Sequence, residues 1–154
     1  MVEADMREFS LGRRFDAVVC LFSSVGYMPS TDDLDRAVAT MANHLAPRGV
    51  LVVDGWVRPD QWHSDVATHV EDASTSNLRV TRSILTRRVG NATYLEMHHL
   101  VTTKDAVDYL VDTHELRLFE HSEYVAAFAK SGLVADTVPS PMPGRDRYVA
   151  VSAS

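Results

Sequence analysis

The sequence predicts an α/β fold built from part of a doubly wound parallel sheet and an antiparallel β insertion. A strand–helix–strand pattern spans residues 15–54, and such a unit is almost always a right-handed crossover between two parallel strands. Between residues 66 and 119 the chain instead alternates apolar and polar side chains over long segments. That pattern is typical of an antiparallel sheet with one covered face. We therefore expect a single domain, residues 1–154, with the insertion at residues 66–119.

The first strand of the crossover is the apolar run of residues 17–22. A continuous β-branched run of this kind predicts a strand buried on both faces. Ser23, Ser24 and Gly26 then turn the chain outward, so Tyr27 lies just beyond the carboxyl end of the strand. Ligand crevices of open α/β sheets lie outside these carboxyl ends. Tyr27 is therefore a candidate site residue, although the position also suits a tyrosine that packs on the sheet rim.

A helix and a second strand complete the crossover. Residues 29–33 predict a helix start, with Ser30 or Thr31 as the cap and two aspartates in the first turn. Apolar residues then recur at spacings of four and three, which is one face of an amphipathic helix: Leu34, Val38, Met41 and Leu45. Residues 47–49 end this helix, and residues 49–54 predict a second buried strand.

The insertion and the end of the chain are predicted from the same patterns. Strands are expected at residues 78–88, 92–102 and 107–119, joined by short turns. A second helix is expected from Ser122, followed by strands that begin at Leu133 and at Arg147.

Composition excludes several classes of function. The net charge of −6 argues against a nucleic-acid surface, which needs clustered Lys and Arg. The single cysteine, Cys20, excludes a disulfide framework and indicates a reducing compartment. No apolar run approaches the roughly 20 residues that span a bilayer, and the first residues do not resemble a signal peptide. We expect a soluble cytoplasmic protein with no nucleic-acid or membrane partner.

Motifs for several chemistries are missing from the sequence. No zinc-site spacing, Gly-x-Ser-x-Gly elbow, phosphate-binding Walker loop or Gly-x-Gly-x-x-Gly turn occurs, and we expect no metal. His98 and His114 lie on strands predicted to be adjacent, where both can face a ligand pocket. The alternative is that both are partly exposed polar residues on a sheet with one solvent-exposed face.

Several segments together resemble one family, in order along the chain: residues 5–9, 22–27, 44–53 and 116–119, then Tyr124, Phe128, the Gly132-Leu133 pair and the Gly144-Arg145 loop. The family is the class I S-adenosylmethionine-dependent methyltransferases. Within it the chain most resembles the N,N-dimethyltransferases of dTDP-linked 3-amino-deoxysugars, of the desosamine and mycaminose type. The resemblance implies a partial Rossmann-like methyltransferase sheet, corresponding to the C-terminal part of the fold, with the insertion serving the substrate or a homodimer.

The resemblance also implies a cofactor site for S-adenosylmethionine. Asp5 resembles the acid that accepts a hydrogen bond from the adenine amino group, and Met6 resembles the residue that packs on the ring. A main-chain carbonyl near Phe22, with Ser23 beside it, resembles the group that holds the methionine ammonium.

For the substrate, a nucleotide-linked amino sugar, the resemblance implies a second set of residues. Tyr27 resembles the position beside the sugar amine, where a phenol is a poor base at neutral pH and orientation of the amine is the expected role. Arg145 is expected to bind the diphosphate, because a guanidinium grips two phosphate oxygens at once. The remaining expected substrate residues are Ser24, Trp56, Arg58, His98 and His114, although Trp56 equally suits a hydrophobic lid.

One departure from the family limits these expectations. The resemblance begins after the family's third strand, so the glycine-rich cofactor loop has no counterpart here. We expect a fragment or mis-started reading, with a half borrowed from another chain as the alternative; either way the strand at residues 17–22 exposes an apolar edge. The competing functions are another small-molecule methyltransferase of this fold and an inactive fragment or interaction module.

Overall fold

The computed structural model describes residues 1–140, 142 and 144–152. The described elements are, in chain order, β1 (Phe15–Cys20), α1 (Thr31–Asn43), β2 (Leu45–Val57), β3 (Val66–Ser74), β4 (Leu78–Val89), β5 (Ala92–Thr103), β6 (Val107–Arg117), α2 (His121–Lys130), β7 (Leu133–Pro139) and β8 (Arg145–Ser152). The chain divides into two compact units, His63–Leu116 and the remainder. No helix in the described part of the chain is long and apolar enough to cross a membrane.

The first unit contains a four-stranded mixed sheet in the order β1-β2-β8-β7. β1 and β2 are parallel, as the crossover pattern predicts, and pair Val18 with Leu51 and Cys20 with Val53. β8 runs antiparallel to both of its neighbours, β2 and β7. Because β8 is antiparallel to β2, its amino end lies beside the carboxyl end of β2, where Val57 pairs with Arg145.

β1 differs from the predicted strand in its end and in its burial. It ends at Cys20, and Leu21 and Phe22 belong to the turn that follows. Val19 is 56% exposed, so the expectation of a strand buried on both faces is wrong for this position. The described sheet places β1 at its edge, paired with β2 alone.

Both helices are capped by side chains. Ser30 Oγ accepts a hydrogen bond from the Asp33 N–H at 3.1 Å, which confirms Ser30 as the predicted cap of α1. α2 begins at His121 with a capping box between Glu120 and Glu123, one residue earlier than the predicted Ser122. The buried faces of the two helices and of the sheet form one core, with Leu34, Val38, Leu51, Val53, Tyr124, Phe128 and Tyr148 among its members.

The second unit is a four-stranded sheet in the order β3-β4-β5-β6. β3 pairs antiparallel with β4, and β4 with β5, in unbroken registers. β4, β5 and β6 fall within one or two residues of the predicted strands. The α/β fold with an antiparallel β insertion is therefore confirmed.

Candidate functional site

The turn after β1 is held in an unusual backbone conformation. Phe22 and Ser23 have φ values of 57° and 60°, in the left-handed region. Residues with a Cβ adopt this conformation at a cost, and such strain is concentrated at functional sites. The Phe22 ring is 83% exposed, whereas Ser23 is 1% exposed. The turn therefore presents an aromatic ring and its own backbone at the carboxyl end of β1.

Ser23 joins this turn to β2 and β8. Its hydroxyl donates a 2.7 Å hydrogen bond to the Gly55 carbonyl on β2 and accepts one of 3.3 Å from Nη1 of Arg145 at the start of β8. A Cβ at Gly55 would lie 3.2 Å from the Asp146 carbonyl oxygen and 3.3 Å from the Tyr148 ring. Glycine at this position thus lets β2 and β8 approach closely.

Arg145 is fixed by a second contact, with Trp56. Its guanidinium carbon lies 4.2 Å from the Trp56 ring centroid, within the range of a cation–π interaction. Burial lowers the pKa of Arg145. The Trp56 ring is itself buried, and its backbone N–H donates to Tyr124 Oη at 3.2 Å. The structure therefore brings together Ser23, expected at the cofactor, with Trp56 and Arg145, expected at the substrate.

Arg58, another residue expected at the substrate side, is paired with carboxylates. It lies 3.0 Å from Asp60 and forms a second ion pair with Asp146, the residue after Arg145. The Asp60 hydrogen bond, and then the Asp146 charge, raise the pKa of Arg58. Its charge is therefore balanced within the chain.

Ser24 and Tyr27 lie on a short 3₁₀ turn, Ser24–Tyr27, beside these residues in sequence. The Ser24 hydroxyl donates to the Leu21 carbonyl at 2.8 Å and so stabilises the turn. Tyr27 is 46% exposed, and partial burial raises the pKa of its phenol. At neutral pH the phenol remains protonated and is a hydrogen-bonding group rather than a base.

Asp5 and Met6 are positioned by α1. Asp5 accepts hydrogen bonds from the backbone N–H and the side chain of Arg7, at 2.8 and 3.0 Å. These bonds lower the pKa of Asp5 to about 2. Arg7 also reaches Asp33 on α1 at 3.0 Å, and Met6 packs against the core. Asp5 is therefore an ionised acceptor on a segment tied to the helix.

His98 and His114 belong to the second unit, and the structure does not bring them together. His98 contacts Tyr109 Oη on β6 and lies 2.7 Å from Glu96, so its side chain shares a face with Tyr109. Since side chains alternate along a strand, His114, five residues after Tyr109, points to the opposite face. His114 lines a cavity of about 380 Å³ together with residues such as Arg87 and Tyr94.

Asp54 and Arg147 join this site without having been predicted. Asp54 Oδ2 accepts from the Phe22 N–H at 3.3 Å, and its Oδ1 accepts from Arg147 Nε at 2.6 Å. The Arg147 hydrogen bond is the main cause of a lowered pKa at Asp54. The sequence feature that could have indicated Asp54 is its position directly after the buried run of residues 49–53, where a carboxylate ends the predicted strand. Among the described residues, no His, Cys, Asp and Glu group of three or more is arranged to hold a metal ion.

Comparisons with known proteins give consistent relatives. The chain is 42% identical to the dTDP-3-amino-3,4,6-trideoxy-alpha-D-glucopyranose N,N-dimethyltransferase of Streptomyces venezuelae, across 98% of this chain and 64% of the relative. It is 37% identical to the dTDP-3-amino-3,6-dideoxy-alpha-D-glucopyranose N,N-dimethyltransferase of Streptomyces fradiae, across 96% of this chain and 58% of the relative. The chain thus spans about three fifths of the length of these curated relatives. No family model matches it.

Solved structures agree with these relatives. Streptomyces venezuelae DesVI superposes with a TM-score of 0.93 at 39% identity, covering 98% of this chain and 64% of that chain. CalS10, an amino pentose methyltransferase from Micromonospora echinaspora with S-adenosylmethionine bound, superposes with a TM-score of 0.85 at 33% identity, covering 97% of this chain and 63% of that chain.

Proposed function

We propose that the protein methylates the amino group of a dTDP-linked amino-deoxysugar. The proposal rests on the homology of this chain with the S-adenosylmethionine-dependent N-methyltransferases of dTDP-linked amino sugars, which confirms the resemblance seen in its sequence. S-adenosylmethionine is the cofactor, as in the solved neighbours that hold it. The observation that carries the proposal is the cluster of Ser23, Trp56 and Arg145 at the carboxyl ends of β1 and β2, where ligands of α/β sheets bind.

Arg145 is suited to the diphosphate of the nucleotide sugar. The Trp56 ring covers one face of the guanidinium, and Ser23 Oγ accepts from one of its nitrogens. The planar fork is therefore held in one orientation before a ligand arrives, which reduces the entropy lost on binding. A guanidinium so oriented grips two phosphate oxygens with parallel hydrogen bonds.

The residues of the cofactor side fit S-adenosylmethionine. Three donors of Arg7 make four hydrogen bonds with the Asp5 carboxylate, two at each oxygen, and this carboxylate is the acceptor proposed for the adenine amino group. The lowered pKa of Asp5 keeps that acceptor ionised. The backbone carbonyl of Phe22 in the strained turn supplies an acceptor for the methionine ammonium, since the Ser23 carbonyl already accepts the Gly26 N–H at 2.8 Å.

The reaction is an in-line displacement at the sulfonium methyl group that the cofactor supplies when bound. The neutral sugar amine forms a bond to the methyl carbon while the carbon–sulfur bond breaks. The electron pair of the broken bond passes to sulfur. The methylated amine then loses one proton to solvent. Tyr27 orients the amine through its protonated phenol. Holding nitrogen, carbon and sulfur in line supplies much of the rate.

Binding experiments on Arg145 variants test this function. Arg145→Ala is expected to raise the Kd for the dTDP-linked sugar roughly 10- to 100-fold, the value of a charge-assisted hydrogen-bond pair, while changing the Kd for S-adenosylhomocysteine little. Arg79→Ala, at an exposed arginine of β4, is the control and should change neither. Equal losses for both ligands would refute the diphosphate assignment. Binding of free amines as tight as binding of the nucleotide sugar would favour another small-molecule methyltransferase.

We also propose that the protein is a homodimer formed through the second unit. The registers of β3, β4 and β5 and the contact of His98 with Tyr109 place several exposed apolar side chains on one sheet face: Val66, Val70, Tyr109 and Val111. A second copy of the same face would bury them. Light scattering is expected to give a dimer for the unmodified protein and a monomer for Val70→Lys. Val134→Lys, at an exposed valine of β7, should stay dimeric; a monomeric unmodified protein would refute the proposal.

We place this activity in the cytoplasm, in antibiotic biosynthesis. The single cysteine, buried Cys20, is consistent with a reducing compartment. CalS10 is described as involved in calicheamicin biosynthesis, and the proposed amino-sugar substrate suits a related pathway.

A further inference from the structure

The strained turn at Phe22 and Ser23 needs external support to persist. Two successive left-handed residues with side chains cost of order 1–3 kcal/mol each, and neither is a glycine. Within the described residues two bonds hold this turn to β2. Ser23 Oγ donates to the Gly55 carbonyl, and the Phe22 N–H donates to Asp54 Oδ2 at 3.3 Å.

Asp54 is in turn held by Arg147. Its second oxygen, Oδ1, accepts from Arg147 Nε at 2.6 Å, across the β2–β8 pair in which Asp54 and Arg147 are register partners. The two carboxylate oxygens therefore face opposite partners, one on the turn and one on β8. The carboxylate cannot rotate toward solvent without breaking both bonds.

The same strand links Asp54 to the residue that orients the nucleotide. Arg145 lies two positions before Arg147 on β8, and its charge also acts on Asp54. Arg145 reaches back to Ser23 of the turn. A hydrogen-bond network thus joins Arg147 and Arg145, both on β8, to the turn. Arg147 is linked to the turn through Asp54, and Arg145 is linked to it through Ser23.

We propose that Asp54, held by Arg147, is a positioning residue for the turn at Phe22 and Ser23. It keeps this turn in the conformation that presents the Phe22 carbonyl to the cofactor and the Ser23 hydroxyl to Arg145. The effect of this positioning on catalysis rests on the proposed function. The clamp itself is a property of the fold and can be measured without any substrate.

The first experiment measures the chemical shift and the hydrogen-exchange rate of the Phe22 amide proton, which donates to Asp54. Asp54→Ala is expected to raise the exchange rate of the Phe22 amide about tenfold or more, because the bond that protects it is gone. Asp35→Asn is the matched control, since it removes a 2.5 Å ion pair between α1 and α2 and leaves the turn untouched. Unchanged protection of Phe22 in a folded Asp54→Ala protein would overturn the proposal.

The second measurement uses Arg147→Ala, which removes the partner and leaves Asp54 in place. In the unmodified protein Arg147, and more weakly Arg145, hold the carboxylate ionised to lower pH than usual. The pH at which the Phe22 amide shift titrates is therefore expected to rise in Arg147→Ala. If Asp54 contributed only to general stability, the titration pH of the Phe22 amide shift would not rise in Arg147→Ala. An unchanged titration pH would therefore contradict the proposal.

Kinetics then separate the clamp from the proposed function. If the unmodified protein methylates a dTDP-linked amino sugar, Asp54→Ala is expected to lower kcat/KM about tenfold or more while the folded fraction stays constant, because displaced groups lose their alignment. Asp54→Asn, which keeps one acceptor oxygen, should recover part of the loss. Unchanged kcat/KM in Asp54→Ala would overturn the positioning role even with the function established. Loss of Phe22 protection alongside an unmodified protein that transfers no methyl group would support the clamp and refute the function.

Discussion

The Arg145 guanidinium lies 4.2 Å above the Trp56 ring and donates to the hydroxyl of Ser23. These residues come from three segments: the start of β8, the end of β2 and the turn after β1. Trp56 is itself held in place, because its backbone N–H donates to Tyr124 Oη. An arginine whose orientation is set by neighbours on three segments is prepared for a ligand of fixed geometry, which a diphosphate is.

Tyr27 is expected to contribute through its hydroxyl as a hydrogen-bonding group. Tyr27→Phe should lower kcat for methyl transfer roughly three- to tenfold, the value of one neutral hydrogen bond, and should leave the Kd for the nucleotide unchanged. Steady-state kinetics with separate binding titrations measure both. Tyr94→Phe, at an exposed tyrosine of β5, serves as the control. Unchanged turnover in Tyr27→Phe would remove the hydroxyl from the mechanism.

Tyr124 supports the site through its buried phenol. Its side chain is fully buried, and its oxygen accepts the Trp56 backbone N–H at 3.2 Å. Tyr124→Phe leaves that buried N–H without its partner, so we expect a loss of about 1–3 kcal/mol in the free energy of unfolding. Denaturant titration measures it. Tyr94→Phe, at an exposed tyrosine whose hydroxyl lies 3.3 Å from Glu115, should cost less than about 0.5 kcal/mol, and an equal cost for both variants would contradict this role.

Asp5 is expected to titrate far below an ordinary aspartate. Its hydrogen bonds with Arg7 lower its pKa to about 2, so the ionised carboxylate favours the folded state. That contribution is complete above about pH 4, the usual value in an unfolded chain, and is lost as the pH falls toward 2. Carbon-detected NMR titration measures the pKa directly. Arg7→Ala should return it toward 4, whereas a pKa that stays near 2 would assign the shift to another cause.

Cys20 is expected to be unreactive in the folded protein. Burial raises the pKa of its thiol to about 11, so very little thiolate is present near neutral pH. Alkylation with iodoacetamide, followed by mass spectrometry, should be slow without denaturant and fast in it. Rapid labelling of the native protein would show that the end of β1 opens readily.

The part of the fold that follows from local patterns was predictable. The apolar runs and the spacing of Leu34, Val38 and Met41 led to the parallel β1–β2 pair and to α1. Alternation along residues 78–117 led to the antiparallel sheet of the second unit. These features depend on burial of one face, and the periodicity of the sequence records that directly.

The parts that depend on pairing across the chain were not predictable. No composition signal indicates that Phe22 and Ser23 adopt left-handed backbone angles, because residues with a Cβ rarely do. The bond between Asp54 and Arg147 joins positions 93 residues apart and requires the register of β2 with β8. The sequence allowed His98 and His114 to face one pocket, but the contact of His98 with Tyr109 and the alternation of side chains along β6 place them on opposite faces.

The proposed activity is best measured as methyl transfer from S-adenosylmethionine to a dTDP-linked 3-amino-deoxysugar, with the products identified by mass spectrometry. The protein carrying this chain is expected to add methyl groups to the sugar nitrogen, and Arg145→Ala is expected to abolish most of this transfer at limiting substrate. Cofactor binding without any methylation of the sugar nitrogen would refute the proposed activity.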